Sequence, residues 1–237
     1  MTFAVITFPG SNCDRDCIWA LEGVLGYTVR NIFHREKSLG SVDAVVLPGG
    51  FSYGDYLRAG ALAHFSPIMD AVTAFAHEGG IVLGICNGFQ ILCEAGLLPG
   101  ALVRNRSLKF VCHEVSLRVE NCATIFTSQY QEGQEIILPI AHSDGNYLTD
   151  PATLSTLEQE RRVVFRYTGP KRFDALDGNP NGSVNAIAGI VNSEGNVLGM
   201  MPHPERACDP DIGRTDGLGI FLSVAQSVVR QSAVLAE

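Results

Sequence analysis

The chain has 237 residues, 46% of them hydrophobic and 18% charged, with a formal net charge of −8. That length and apolar share suit one large domain with a substantial core. The acidic balance excludes the electrostatic footprint of a nucleic-acid binder, and no apolar stretch reaches the roughly 18 residues of a membrane span.

In chain order, the first half reads as strand–helix units. Phe3 to Phe8 is the first strand; with no basic n-region and no small-residue cleavage site, the opening does not read as a signal peptide. Asn12-Cys13-Asp14 supplies an N-cap region for a helix. Its apolar Cys17, Ile18, Leu21, Val24 and Leu25 recur at helical spacing, and Gly26 ends it. Tyr27 to Phe33 and Val42 to Leu47 are the second and third strands. Pro67 to His77 is a helix with proline in its first turn. Ile81 to Ile85 is the fourth strand and Asn87 to Ala95 the helix that follows. Continuous apolar strands separated by helices predict an α/β fold with a mostly parallel sheet and helices on both faces.

Residues 103 to 142 change character. Val115, Leu117 and Val119 alternate with polar neighbours, as in a half-exposed antiparallel strand. Ile136 to Ala141, Arg162 to Tyr167 and Ala186 to Val191 read as further strands, and Asp150 as the cap of a short helix. Gly169 to Ser183, rich in Gly, Pro, Asn and Asp, reads as a loop. Leu218 to Leu235 is a closing helix with Ile220, Phe221, Val224 and Val228 on one face. No linker or repeat divides the chain, so residues 1–237 read as a single domain.

Three motifs carry chemistry. In Gly84-Ile85-Cys86-Asn87-Gly88 a buried strand runs into a helix through a turn with glycines on both sides of one cysteine. The nucleophile elbow of serine hydrolases has the same form. Such a turn exposes its central side chain, and the helix N-terminus favours thiolate. The second motif is Met200-Met201-Pro202-His203-Pro204-Glu205-Arg206. Prolines push the residues before them towards extended backbone. Alternation then places His203 and Glu205 on one side, where a carboxylate can orient an imidazole base. The third is Leu47-Pro48-Gly49-Gly50, where the N–H of Gly49 or Gly50 is a candidate oxyanion donor beside that of Asn87, with Gly50 taken as the donor. Together they form a candidate Cys86–His203–Glu205 triad.

The elbow, the Pro-Gly-Gly turn and the His-Pro-Glu triplet resemble class I, triad-type glutamine amidotransferases. Phe8-Pro9-Gly10-Ser11-Asn12-Cys13-Asp14, the run from Gly49 through Gly60, and Gly199 to Arg206 narrow the resemblance to the glutaminase subunits of multi-subunit phosphoribosylformylglycinamidine synthases. The match covers nearly the whole chain. Two stretches depart from the family pattern: Ala141-His142-Ser143-Asp144-Gly145, where His-Gly-Glu-Gly is expected, and Cys112-His113-Glu114, where arginine usually follows the cysteine.

The resemblance implies a flavodoxin-like sheet and hydrolysis of L-glutamine through a Cys86 thioester. It places Gln90 against the substrate, with Ser143 and Asp144 as further substrate contacts. It implies two partners, a large synthetase subunit that uses ATP and Mg to aminate formylglycinamide ribonucleotide, and a small third subunit. No G-x-x-x-x-G-K-[ST] or G-x-G-x-x-G occurs in the chain, so no cofactor is expected here. Tyr53, Tyr56 and Arg58 are candidates for partner docking and gating, since tyrosine and arginine favour interface centres.

Seven cysteines, an odd number, read as reduced thiols in a cytoplasmic protein. Cys13-x3-Cys17 is the only close pair, and no metal site is expected. Two rival readings remain open at this point: another cysteine hydrolase or stress protein with a similar elbow, and a non-catalytic subunit that keeps the elbow as a relic. The first leaves His203-x-Glu205 and Phe51 to Gly60 unexplained; the second leaves all three triad residue types unexplained.

Overall fold

The computed structural model describes residues 1–169 and 178–234. Its strands are β1 (Thr2–Thr7), β2 (Thr28–Phe33), β3 (Ala44–Leu47), β4 (Ile81–Ile85), β5 (Ala101–Val103), β6 (Val111–Val119), β7 (Glu135–His142), β8 (Asn146–Leu148), β9 (Val163–Tyr167), β10 (Ile187–Val191) and β11 (Val197–Met200). The helices are α1 (Asp14–Ile18), α2 (Ala61–His64), α3 (Pro67–His77), α4 (Asn87–Glu94), α5 (Pro151–Gln159) and α6 (Leu218–Val234).

Nine strands form one sheet in the order β2-β1-β3-β4-β11-β10-β9-β6-β7. The first five are mutually parallel, in the flavodoxin-like arrangement. From β11 onward every neighbour is antiparallel. Burial explains the division. Every residue of β3, β4 and β11 is buried, as strands covered on both faces require. β7 instead alternates, burying Ile136, Leu138, Ile140 and His142. The edge strand β2 buries only Ile32 and carries Arg30 and Asn31 outward.

α3 and β4 occupy the residues that sequence predicts. Tyr27 and Val42 fall outside their strands, and β1 ends before Phe8. α1 begins at Asp14, but no side chain caps it. It continues as a wider π turn over Trp19–Val24, where the Leu25 N–H reaches back five residues to the Ala20 carbonyl at 3.2 Å. Asp150 caps α5, accepting from the Ala152 and Thr153 N–H groups at 3.0 Å each. Of the expected Gly169 to Ser183 loop, residues 170–177 lie outside the described residues, as does Leu235 at the end of the closing helix.

α4 packs on β3, β4 and β11, and α1 on β1. The carboxyl ends of the parallel strands, where open α/β sheets bind ligands, carry four turns: Phe8 to Asp14 after β1, Gly49-Gly50 after β3, Cys86 after β4, and Met201 to Arg206 after β11.

Candidate active site

Cys86 joins β4 to α4 with φ +52° and ψ −104°, a backbone conformation that costs a non-glycine residue about 1–3 kcal/mol. Packing holds it there. A Cβ at Gly88 would collide with the Leu47 carbonyl, and one at Gly84 would lie 2.7 Å from the Gly88 oxygen. Glycine at both positions therefore lets α4 lie against β3 and its own strand. The Cys86 N–H donates to the Met200 carbonyl at 2.7 Å, tying the elbow to the end of β11. Its Sγ lies 3.8 Å from the Ala141 carbonyl at the end of β7.

β11 thus delivers His203 beside Cys86. The His203 N–H donates to the Pro139 carbonyl at 2.8 Å, and the side chain is buried, with 1% of the residue exposed. His203 Nδ1 and Glu205 Oε1 lie 2.6 Å apart. The contact arises differently from simple alternation. His203 is extended (φ −102°, ψ 91°), but Pro204 starts a short 3-10 turn through Arg206. That turn swings Glu205 back under the ring. His203 Nε2 and Glu205 Oε2 are buried with no hydrogen-bond partner. Burial by itself depresses the imidazole, but the Glu205 carboxylate and the Cys86 sulfur outweigh it and hold the His203 pKa well above its ordinary value.

Gly49 is glycine for a steric reason that involves this ring. A Cβ there would sit 2.7 Å from His203 Cε1 and 3.0 Å from Cys13 Sγ. Gly50, at φ +146°, seats against the turn after β1, and the Phe51 N–H donates to the Gly10 carbonyl at 3.0 Å. Asn87 is the first residue of α4, where an amide has no acceptor within the helix.

Of the remaining predicted residues, Gln90, Ser143 and Asp144 line the cleft, and Tyr53, Tyr56 and Arg58 do not. Gln90 is buried and donates from Nε2 to the Asp144 carbonyl at 2.6 Å, while its Oε1 accepts from Asn87 Nδ2 at 2.8 Å. Gly50, Phe51, Asp55, Cys86, Gln90 and residues 141–144 line a cleft of ≈ 10 Å³, room for about one water. Ser143 and Asp144 are therefore brought to the cysteine. Tyr53 turns inward, its hydroxyl 2.7 Å from His34 Nδ1 and 2.9 Å from Ser66 Oγ. Tyr56 is exposed, and Arg58 makes a two-pronged contact with Glu94 at the end of α4, 2.5 Å on each prong.

Residues 1–213 match the CobB/CobQ-like glutamine amidotransferase domain. The chain belongs to this family. It is 57% identical to the PurQ subunit of phosphoribosylformylglycinamidine synthase from Moorella thermoacetica, over 94% of this chain and 95% of that one. It is 58% identical to the corresponding PurQ subunit of Synechococcus elongatus, over 96% and 99%. The solved structure of PurLQS from Thermotoga maritima contains a chain that superposes with a TM-score of 0.85 at 43% identity, covering 96% of this chain and 98% of that one.

Three residues at the site, Cys13, Asn105 and His142, have no site role in the sequence reading, and a fourth, Asp55, enters it only as part of the Phe51 to Gly60 docking segment. Cys13 Sγ lies with the donor atoms of His203 and Glu205 inside a 4.8 Å cluster and accepts from Arg206 Nη2 at 3.2 Å. Burial pushes this thiol up, with the adjacent His203 imidazole and the Arg206 charge acting against it. These donors are a metal-ligating group by proximity, but His203 Nδ1 already bonds Glu205. Asn105, fully buried, ties residues 142–145 together by accepting from the Gly145 N–H at 3.0 Å and donating to the His142 carbonyl at 2.9 Å. His142 and Asp55 point polar atoms into buried positions without partners. Asp55 falls in a stretch that composition marks as unusual. What sequence hides is the backbone: Tyr53, Asp55 and Leu57 all take left-handed conformations.

Proposed function

We propose that this chain, acting as one amidotransferase domain, is the glutaminase subunit of a multi-subunit phosphoribosylformylglycinamidine synthase. The observation that carries the mechanism is a buried imidazole held by Glu205 on one nitrogen and electrostatically coupled to the Cys86 sulfur. Cys86 attacks the side-chain carbonyl carbon of L-glutamine while His203 takes the thiol proton. Glu205 orients His203 and stabilises its cationic form. The Gly50 and Asn87 amides stabilise the tetrahedral oxyanion. The C–N bond then breaks, His203 gives its proton to the departing ammonia, and a γ-glutamyl thioester remains. Water attacks the thioester through the same base, releasing glutamate and returning the proton to Cys86. Gln90, Ser143 and Asp144 contact the substrate.

The ammonia passes to a large synthetase subunit that aminates formylglycinamide ribonucleotide with ATP and Mg, assisted by a small third subunit. The exposed apolar side chains of Phe51, Tyr56, Leu57 and Phe110 support docking at the cleft mouth; the Phe51 and Phe110 rings lie 6.4 Å apart. The narrowness of the cleft supports gating, since glutamine needs more room than one water. Tyr53, Tyr56 and Arg58 belong to the gating segment. The free cysteines support a reducing, cytoplasmic setting, and no helix among the described residues is long and apolar enough to cross a membrane.

The test is Cys86→Ala in the assembled synthase. Glutamine-dependent synthesis is expected to vanish while synthesis from ammonium salts persists. Glutamine hydrolysis near the unsubstituted rate would overturn the reading.

A further inference from the structure

Two carboxylates, Asp55 and Asp144, line the cleft beside Cys86, and no lysine or arginine lines it among the described residues. Asp55 Oδ1 is buried without a hydrogen-bond partner. Burial, and then the neighbouring Asp144 charge, push the Asp55 carboxyl up to about 6. Like charges in a small, poorly hydrated space are unfavourable unless one is protonated or a cation enters between them.

A second unpaired acceptor lines the same cleft. His142 Nδ1 faces Asn105 Oδ1 at 3.1 Å. Asn105 donates from Nδ2 to the Lys109 and His142 carbonyls, and its oxygen accepts from the Gly145 N–H. The Nδ1 nitrogen therefore carries the proton, and Nε2 is a bare acceptor, buried and unpartnered. Burial, with His203 second, drives this imidazole down to about 3, so it is neutral and supplies no cation. The lining thus offers acceptors and negative charge and lacks a positive group.

We propose that Asp55 receives the α-ammonium group of glutamine, with Asp144 as the supporting negative charge, so that the cleft selects amides that carry this ammonium. The proposal rests on the glutaminase reading and deepens it. The α-nitrogen of glutamine lies four bonds from the carbon that Cys86 attacks, a span of about 5 Å, and Asp55 and Cys86 line the same cleft. Asp55 sits at φ +54°, where aspartate is among the better-tolerated residues. Its place is held by neighbours: the Tyr53 N–H donates to the Pro9 carbonyl at 2.6 Å, and the Ser52 N–H to Asn87 Oδ1 at 3.1 Å. Asparagine tolerates the same backbone, so Asp55→Asn removes the charge and leaves the turn intact.

The experiment compares the unsubstituted synthase with Asp55→Asn and Asp55→Ala, each supplied with L-glutamine and with its des-amino analogue, glutaramic acid. Ammonia release is measured for both amides. Loss of a charge-assisted contact predicts a KM for glutamine raised about 10- to 100-fold with kcat nearly unchanged, and little change in kcat/KM for the des-amino analogue. Preference for glutamine collapses in both variants. A diazo-ketone analogue of glutamine, which keeps the α-ammonium, should label Cys86 more slowly in both variants, whereas iodoacetamide labels it at an unchanged rate. Equal losses on both amides, or an unchanged preference, would overturn the assignment of Asp55. Failure of the unsubstituted enzyme to hydrolyse glutamine would instead overturn the glutaminase reading.

Discussion

The cleft has two unlike walls. The wall that carries Cys86 is fixed by core packing: α4 lies on three buried strands, residues 87–92 are all buried, and the two flanking glycines leave no room for a side chain. The facing segment, Phe51 to Gly60, is held mostly by hydrogen bonds: the Phe51 and Tyr53 amides to the Gly10 and Pro9 carbonyls, the Tyr53 hydroxyl to His34 and Ser66, Ser52 to Asn87, and an exposed Arg58–Glu94 pair, with close packing on α4 only at its Gly60 end. It also keeps Tyr53, Asp55 and Leu57 in left-handed conformations. Close packing punishes small changes of volume, whereas single hydrogen bonds contribute only about 1 kcal/mol each. Bond-making groups therefore sit where geometry is stiff, and the groups that admit and select substrate sit where it can adjust.

The largest expected effect breaks the stiff side. His203→Ala in the assembled synthase should lower glutamine turnover by about 10³-fold or more, with ammonia-dependent synthesis intact. Glu205→Gln should be milder, since an amide can still hold the ring, and steady-state turnover of the pair ranks them. Unchanged turnover in His203→Ala would remove the triad. Gly88→Ala tests packing without touching chemistry: the collision with the Leu47 carbonyl should cost about 3 kcal/mol, read from denaturant midpoints. A neutral result there would mean that the elbow is less constrained than its contacts indicate.

The adjustable side should respond to pH and not to volume. The Asp55 carboxyl, raised to about 6, is ionised above that value and protonated below it. Ammonium binding needs the ionised form, so kcat/KM for glutamine should fall as pH drops through 6. The titrations of His142 and the Cys86–His203 pair act on both amides, whereas Asp144, the supporting charge in the same cleft, acts with Asp55 on the ammonium. The ratio of kcat/KM for glutamine to that for glutaramic acid isolates the ammonium contact, and its fall through pH 6 should be lost in Asp55→Asn. The smallest effect is expected for Arg58→Ala. An exposed ion pair contributes less than about 1 kcal/mol to folding, so thermal stability should barely change. Activation of glutamate release by titrated synthetase partner should weaken. A large stability loss with normal activation would reverse that ranking.

Sequence makes the stiff wall legible and the other wall opaque, for physical reasons. Apolar runs and flanking glycines report burial and close approach, so β4, α4 and the elbow are readable residue by residue. Proline neighbours report backbone, so His203 is readable as extended, although the 3-10 turn that brings Glu205 to it is not. Antiparallel β11–β10 pairing escapes notice because Val197–Met200 is only four residues long and contains Gly199. Left-handed tyrosine and leucine have no propensity signature, since tertiary contacts impose them. For the same reason neither the inward turn of Tyr53 nor the cleft position of Asp55 follows from composition. Cys13 reads as an ordinary helix-start thiol because its partner His203 is 190 residues further along the chain.

The turn after β1 has a consequence for precision. It holds the Gly49–Gly50 peptide through the Cys13 N–H to the Gly49 carbonyl at 3.2 Å and through the Ser11–Gly50 pairing. It also touches the other half of the proposed machinery, because Cys13 lies against His203, and Arg206 spans from Cys13 Sγ to Asp16 at 2.9 Å. The proposed base and oxyanion donor thus share one mounting bracket. A shift of that bracket carries both groups in the same direction, so their separation changes less than either position does. Alignment at this site is a property of a common support and need not be maintained by two independent anchors.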